Sequence, residues 1–262
     1  MNTQIGFEKC VSFITSQLPL HHSVTDMAAE KTPRFAITIS RQSGSGAHVV
    51  AKKLAEYMQR HAPRAPLPWM VFDRNLMEQV LEDHQLPSYL HRVIPEDRVS
   101  DLTDMLHQMF GIHPPFWTLV HQTAETMLRL AQQGSVILIG RGANLVTHKL
   151  PHSFHVRLVA PLEKRIAHTQ EMNGFGRKAA MEKILREDRG RQRYLKKYFG
   201  RDPEDPLLYD LVLNTDMMPY DEAAALIGKA ALHRINEESM RRAENQLNEE
   251  LHADAYLMER AI

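Results

Sequence analysis

One stretch constrains the fold more than any other: Arg34–Ala55, RFAITISRQSGSGAHVVAKKLA. Phe35-Ala36-Ile37-Thr38-Ile39 is β-branched and apolar, the pattern of a short buried strand. Small residues follow, Ser40-Arg41-Gln42-Ser43-Gly44-Ser45-Gly46. Then Val49, Val50, Leu54, Tyr57 and Met58 recur at helical spacing. Strand, small-residue loop and helix together build an anion cradle, because loop N–H groups and the helix N-terminus point at one spot. The spacing departs from the standard phosphate loop G-x-x-x-x-G-K-[ST]. With Gly46 as second glycine, Arg41 takes the first glycine's place, Ala47 the lysine's and His48 the hydroxyl residue's. A cradle needs glycines because a side chain would block the backbone from approaching the phosphate; the alternative is a strand-to-helix turn that needs glycine for tight packing.

Later strand patterns alternate with helical ones, which predicts a parallel, doubly wound α/β domain. Trp69–Phe72 reads as a strand closed by Asp73-Arg74, with a helix over Asn75–Asp83. Charged residues at a strand's carboxyl end sit where such folds bind ligands, and Asp73 equally suits a helix cap. Residues 84–133 carry little β-branching and are punctuated by Pro87, Pro95, Pro114 and Pro115, which predicts a helical insertion. Its methionine and aromatic stripe reads as core more readily than as a ligand surface. Ser135–Ile139 is a continuous apolar run, as expected of a central parallel strand. It ends in Gly140-Arg141-Gly142-Ala143-Asn144. The glycines leave room for the Arg141 guanidinium to fork onto a phosphate; pairing with a structural carboxylate is the alternative.

Phe154–Val159 and Tyr209–Leu213 read as the last strands, with helices over Lys178–Phe199 and from Tyr220 to about Ile235. Between Lys183 and Arg201 stand eight Lys or Arg and two acids. Such a run is usually a solvated face. In a chain of zero formal charge the local excess points to an anionic ligand, and an arginine-rich helix closing over a triphosphate fits phosphoryl transfer. Two extensions flank this domain, an N-terminal helical one over 1–30 and an acidic helical tail over 236–262, where Leu247, Leu251 and Met258 make a narrow stripe. Both are candidates for contacts between copies of the chain.

Bulk properties exclude other classes. Neutral charge argues against nucleic acid or an anionic membrane as partner, and no apolar run of about 18 residues occurs. Cys10 is the only cysteine, so no internal disulfide forms. A soluble cytoplasmic protein is expected. The 15 histidines form no metal motif, so no metal site is expected from them.

Six motifs in order, ITISRQSGSGAHVVAKKLA, FDRNLMEQV, VILIGRGANLV, VRLVAPLEKRI, REDRGRQRYLKKYFG and YDLVLNT, run over about 34–235. In these the chain resembles the cytidylate kinase-like family, a branch of the P-loop nucleoside monophosphate kinases. The resemblance implies a three-layer P-loop NTPase-type sheet flanked by helices, with the insertion at 84–133 and an arginine-rich lid at 176–201. It implies transfer of the ATP γ-phosphoryl group, with Mg2+, to a pyrimidine nucleoside monophosphate such as CMP. Ser43, Gly44, Ser45, Gly46, Ala47 and His48 would then cradle the donor phosphates. Asp73, Arg74 and Arg141 would face the acceptor; Arg186, Arg189, Arg191 and Arg193 would be lid residues oriented by Asp188. Cytidylate kinases proper carry Gly-Lys at the loop, whereas this chain has Gly46-Ala47. Losing one preorganised cation costs about 3–4 kcal/mol, or 10²–10³ in rate. Arg41, helped by Arg189 and Arg193, is the candidate replacement. Two other readings stay open: a nucleotide-binding regulatory protein that has lost turnover, and an interaction protein without a ligand.

Overall fold

The computed structural model describes residues 35–62, 68–73 and 115–259. The N-terminal extension, Arg74 with the helix expected after it, and residues 84–114 of the insertion lie outside the described residues.

Five strands form one parallel sheet: β1 (Ala36–Arg41), β2 (Met70–Phe72), β3 (Val136–Ile139), β4 (Ser153–Val159) and β5 (Leu211–Asn214), in the order β2-β3-β1-β4-β5. The connecting helices are α1 (Ala47–His61), α2 (Pro115–Gln133), α3 (Ala143–Val146), α4 (Leu162–Asn173), α5 (Arg177–Phe199) and α6 (Tyr220–Glu259). β1 lies in the middle, its Ile37 opposite Ile137 of β3 on one side and Phe154 of β4 on the other. The chain leaves β1 for the β2 edge, returns through β3, then crosses to β4. The carboxyl end of β1 is therefore where the winding reverses, the place such sheets hold ligands.

The strand period of two sorts the core into two layers. Ile37, Ile39, Ile137, Ile139, Phe154, Val156 and Leu158 face α1 and α6, which contribute Val50, Ala51, Leu54, Met58, Ala223, Ala224, Ile227 and Ala231. Ala36, Val136 and Leu138 face α2 through Met127, Leu130 and Ala131. Burying each large side chain stabilises the fold by about 1.5–3 kcal/mol. The α1 residues recur at i, i+4 and i+8, so the helix pattern of the opening stretch is what clamps the loop before it. α5 is held at both ends, by Ile166 of α4 against Ala180 and Ile184, and by Val120 of α2 against Tyr194 and Leu195.

Two boundaries differ from expectation. β5 starts at Leu211, because Pro206–Leu208 form a 3-10 turn in which the Asp205 carboxylate accepts the Leu207 N–H at 3.0 Å. α6 runs unbroken through Ile235 to Glu259, since no glycine or proline interrupts Tyr220–Glu259 except Gly228. Among the described residues no helix is long and apolar enough to cross a membrane.

Candidate active site

β1 ends at Arg41, and α1 begins at Ala47. The five residues between them are pinned from three sides. Gln42 N–H donates to Leu158 O at 3.0 Å, and the Gln42 side-chain oxygen accepts Ala160 N–H at 3.1 Å. The Thr215 hydroxyl donates to Ser45 O at 3.0 Å. Gly44 and Gly46 both adopt φ 81°, in the left-handed region. A Cβ on Gly46 would lie 2.4 Å from the Tyr220 ring. This agrees with the tight-packing reason for a glycine: a side chain at 46 would collide with the first residue of α6.

The loop's donors already meet anions. Ser43 N–H donates to Asp188 Oδ1 at 2.8 Å, and the Ser43 hydroxyl donates to Glu187 Oε2. Both carboxylates come from α5. Asp188 also pairs with Arg165 Nη1 at 2.5 Å and with Arg191, and Arg165 Nη1 donates to Ser43 O at 3.2 Å. Glu187 also pairs with Lys183, one turn earlier. Burial pushes the Glu187 carboxyl up, but the hydrogen bonds from Lys183 and Ser43 prevail and hold it below its usual range.

Arg141 lines the same cleft as the loop. It is 7% exposed, has φ 50°, and carries no hydrogen bond or ion pair to any described residue. A non-glycine residue held there costs about 1–3 kcal/mol, and a buried cation without a countercharge costs more. Beside it, the Arg41 guanidinium lies across Gly140, where a Cβ would come within 1.6 Å of Nη1. Arg41, Arg141, Lys183, Glu187 and Arg191 line, with residues 42–49, a cleft of about 340 Å³. His168 and Thr169 of α4 also line it, and burial holds the His168 imidazole below its usual range.

The cleft thus lies at the reversal of a parallel sheet, lined by a glycine loop with anion-bound donors and by a buried arginine. The model of the cytidylate kinase-like family matches residues 36–217. The chain belongs to this family. The cytidylate kinase of Methanopyrus kandleri is 33% identical over 209 residues, covering 77% of this chain and 94% of that protein. A uronate isomerase of Corynebacterium glutamicum is 30% identical over 109 residues, 42% of this chain and 21% of that protein, so the chain spans about a fifth of its length. A solved structure of an uncharacterized protein from Eubacterium ventriosum shares the fold, with a TM-score of 0.55 and 19% identity over 76% of this chain and 98% of that one.

Within this cytidylate kinase-like chain the expected site residues divide. Ser43–His48, Arg41, Arg141, Asp188 and Arg191 gather at the cleft. Ala47 is buried, and His48 is exposed with Nδ1 3.2 Å from Asp73 Oδ2 at the end of β2. Arg74 lies outside the described residues. Arg186, Arg189 and Arg193 are on the exposed side of α5, and Arg189 Nε donates to its own helix at Leu185 O. At 100° per residue, 183, 184, 187, 188, 191, 194 and 195 share one face and 186, 189 and 193 the other. The apolar pair Ile184 and Leu195 sets which face turns inward. Arg165, Lys183 and Glu187 were missed as site residues. Their signal was present: Arg165 stands next to Ile166 on the buried side of α4, and Lys183-Glu187-Arg191 repeat every four residues on α5.

Proposed function

We propose that the chain is a nucleoside monophosphate kinase that transfers the ATP γ-phosphoryl group to a pyrimidine nucleoside monophosphate such as CMP. The observation that carries this reading is one cleft lined by two kinds of anion-binding group: loop donors at Ser43 bonded to carboxylates, and the buried Arg141. Donor phosphates at the first and an acceptor phosphate at the second would bring the reacting atoms together. The bond from the γ-phosphorus to the β–γ bridging oxygen breaks as an acceptor phosphate oxygen bonds to that phosphorus. ADP and a nucleoside diphosphate leave.

Arg41 and Arg141 neutralise the transferring group from the acceptor side, and Asp73 at the end of β2 faces the acceptor nucleotide. Arg191, held by Asp188, spans the cleft from α5. The residues present fit a metal carried in by the nucleotide: position 48 is histidine rather than a hydroxyl residue, and among the described residues no group of three or more His, Cys, Asp or Glu forms a metal site. Mg2+ arriving with the nucleotide would supply positive charge at the phosphates, in a loop whose Ser43 and Ser45 carry the hydroxyl groups.

A coupled assay with ATP, Mg2+ and a panel of nucleoside monophosphates tests this reading. Turnover with a pyrimidine monophosphate, weakened at least about tenfold in kcat/KM by Arg141→Ala with little change in melting temperature, is the expected result. ATP binding with no transfer to any monophosphate would replace it by the regulatory reading, which Ala47 favours.

A further inference from the structure

The cradle lacks the ammonium that position 47 supplies in other phosphate loops, since Ala47 is a buried methyl group. An ammonium is nevertheless one carboxylate away. Glu187 accepts the Ser43 hydroxyl on one oxygen and Lys183 on the other, so a single anion bridges the loop and a lysine of α5. Lys183, Glu187 and Ser43 all line the cleft. A carboxylate and a terminal phosphate present similar oxygen pairs, and both draw N–H and O–H donors of this kind.

We propose that Lys183 takes the role of the missing loop lysine at the donor phosphates, and that Glu187 is an internal anion holding Lys183 and Ser43 until nucleotide displaces it. This rests on the phosphoryl-transfer reading of the same cleft. An incoming phosphate takes over the Ser43 hydroxyl and the Lys183 ammonium together, so no donor is left unsatisfied by the exchange. Asp188 keeps Arg165 and Arg191 in place meanwhile, which leaves α5 docked by the residue next to Glu187. Local charge favours the exchange. Arg41, Arg141, Arg165, Lys183 and Arg191 surround the cleft and its loop against the two carboxylates Glu187 and Asp188. Position 183 also explains geometrically why alanine is tolerated at 47: the cation approaches from the lid side rather than from within the loop.

The test is titration calorimetry with inorganic tripolyphosphate and with ATP, on the full chain and on Lys183→Ala, Lys183→Arg, Glu187→Gln and the double variant Lys183→Ala/Glu187→Gln. Removing the competing charge should tighten tripolyphosphate binding about tenfold in Glu187→Gln, and removing the cation should weaken it about tenfold in Lys183→Ala. Lys183→Arg should stay within about threefold of the parent, because charge rather than shape is what the site asks for. The double variant should return near the parent. If Lys183→Ala and Glu187→Gln lower the melting temperature and leave the affinity unchanged, the pair is only a helix contact and the proposal is wrong. Turnover of the parent on a monophosphate in that case leaves the kinase reading standing. Tighter binding by Glu187→Gln without any phosphotransfer supports the exchange and removes the kinase reading. No binding of either probe by the parent or by Glu187→Gln overturns both.

Discussion

His155 ties stability to pH through a group outside the cleft. It sits on β4, 7% exposed, with its ring Nδ1 2.8 Å from the Thr38 hydroxyl of β1. Burial lowers its pKa from 6.5 to about 4, against a smaller upward pull from Asp210 and with smaller downward contributions from His148 and Arg234. A base with a lowered folded pKa is protonated first in the unfolded chain. Below pH 6.5 the unfolded state therefore binds more protons than the folded one, and stability falls as pH drops from about 6.5 to about 4. At 1.36 kcal/mol per pH unit the whole window is worth about 3 kcal/mol. Near pH 5.3 the slope from this residue alone approaches about 1 kcal/mol per pH unit. Urea unfolding at pH 7.5, 6.5, 5.5 and 4.5 measures it, with His155→Gln as reference so that carboxylates common to both proteins cancel. The difference in unfolding free energy between parent and variant should narrow by about 2–3 kcal/mol from pH 7.5 to pH 4.5. A difference constant across that range would show that His155 is protonated as readily in the fold as in the unfolded chain, and would refute the reasoning.

Gly46→Val should lower the melting temperature by at least about 5 °C, because its Cβ meets the Tyr220 ring at 2.4 Å; Tyr220→Ala should restore part of the loss. An unchanged melting temperature would show instead that the position faces open space. Alanine at Arg186, Arg189 and Arg193 together should change kcat/KM less than about threefold, whereas Arg191→Ala should lower it at least about thirtyfold; equal effects would mean that α5 turns its outer face to substrate. Gly140→Ala should mimic Arg41→Ala in phosphotransfer, since a Cβ 1.6 Å from Arg41 Nη1 evicts the guanidinium. The double variant should lose nothing further, and additive losses would separate the two positions.

The sheet was legible because its strands are short apolar runs separated by helical patterns, and Val136–Ile139 is buried on both faces as a continuous run implies. The order β2-β3-β1-β4-β5 was not legible from pattern, since nothing in a run such as Met70–Phe72 states which strand it pairs with. The helix to Ile235 and the helical tail expected after it form one helix, for a local reason. Hydrophobic residues thin out in the sequence after Ile235, but helix propensity persists through Asn236–Glu259, and the helix is continuous.

At the site, the glycines announced themselves, but not the group that crowds them. Positive φ at 46 follows from the turn, but the identity of the crowding group, Tyr220, comes from an element 174 positions later and has no local signature. The arginine-rich run was read by composition, which weighs Arg186, Arg189, Arg191 and Arg193 alike. Helix phase separates them: Ile184, Tyr194 and Leu195 must be buried, and 191 lies within about 60° of their mean direction while 186, 189 and 193 do not. The same phase carries Lys183 and Glu187 to the loop. A basic run on a helix is therefore best read after its apolar residues have fixed an inner face, because only cations on that face can share a ligand. For this chain that rule replaces four interchangeable arginines by one arginine, one lysine and the two carboxylates that hold them.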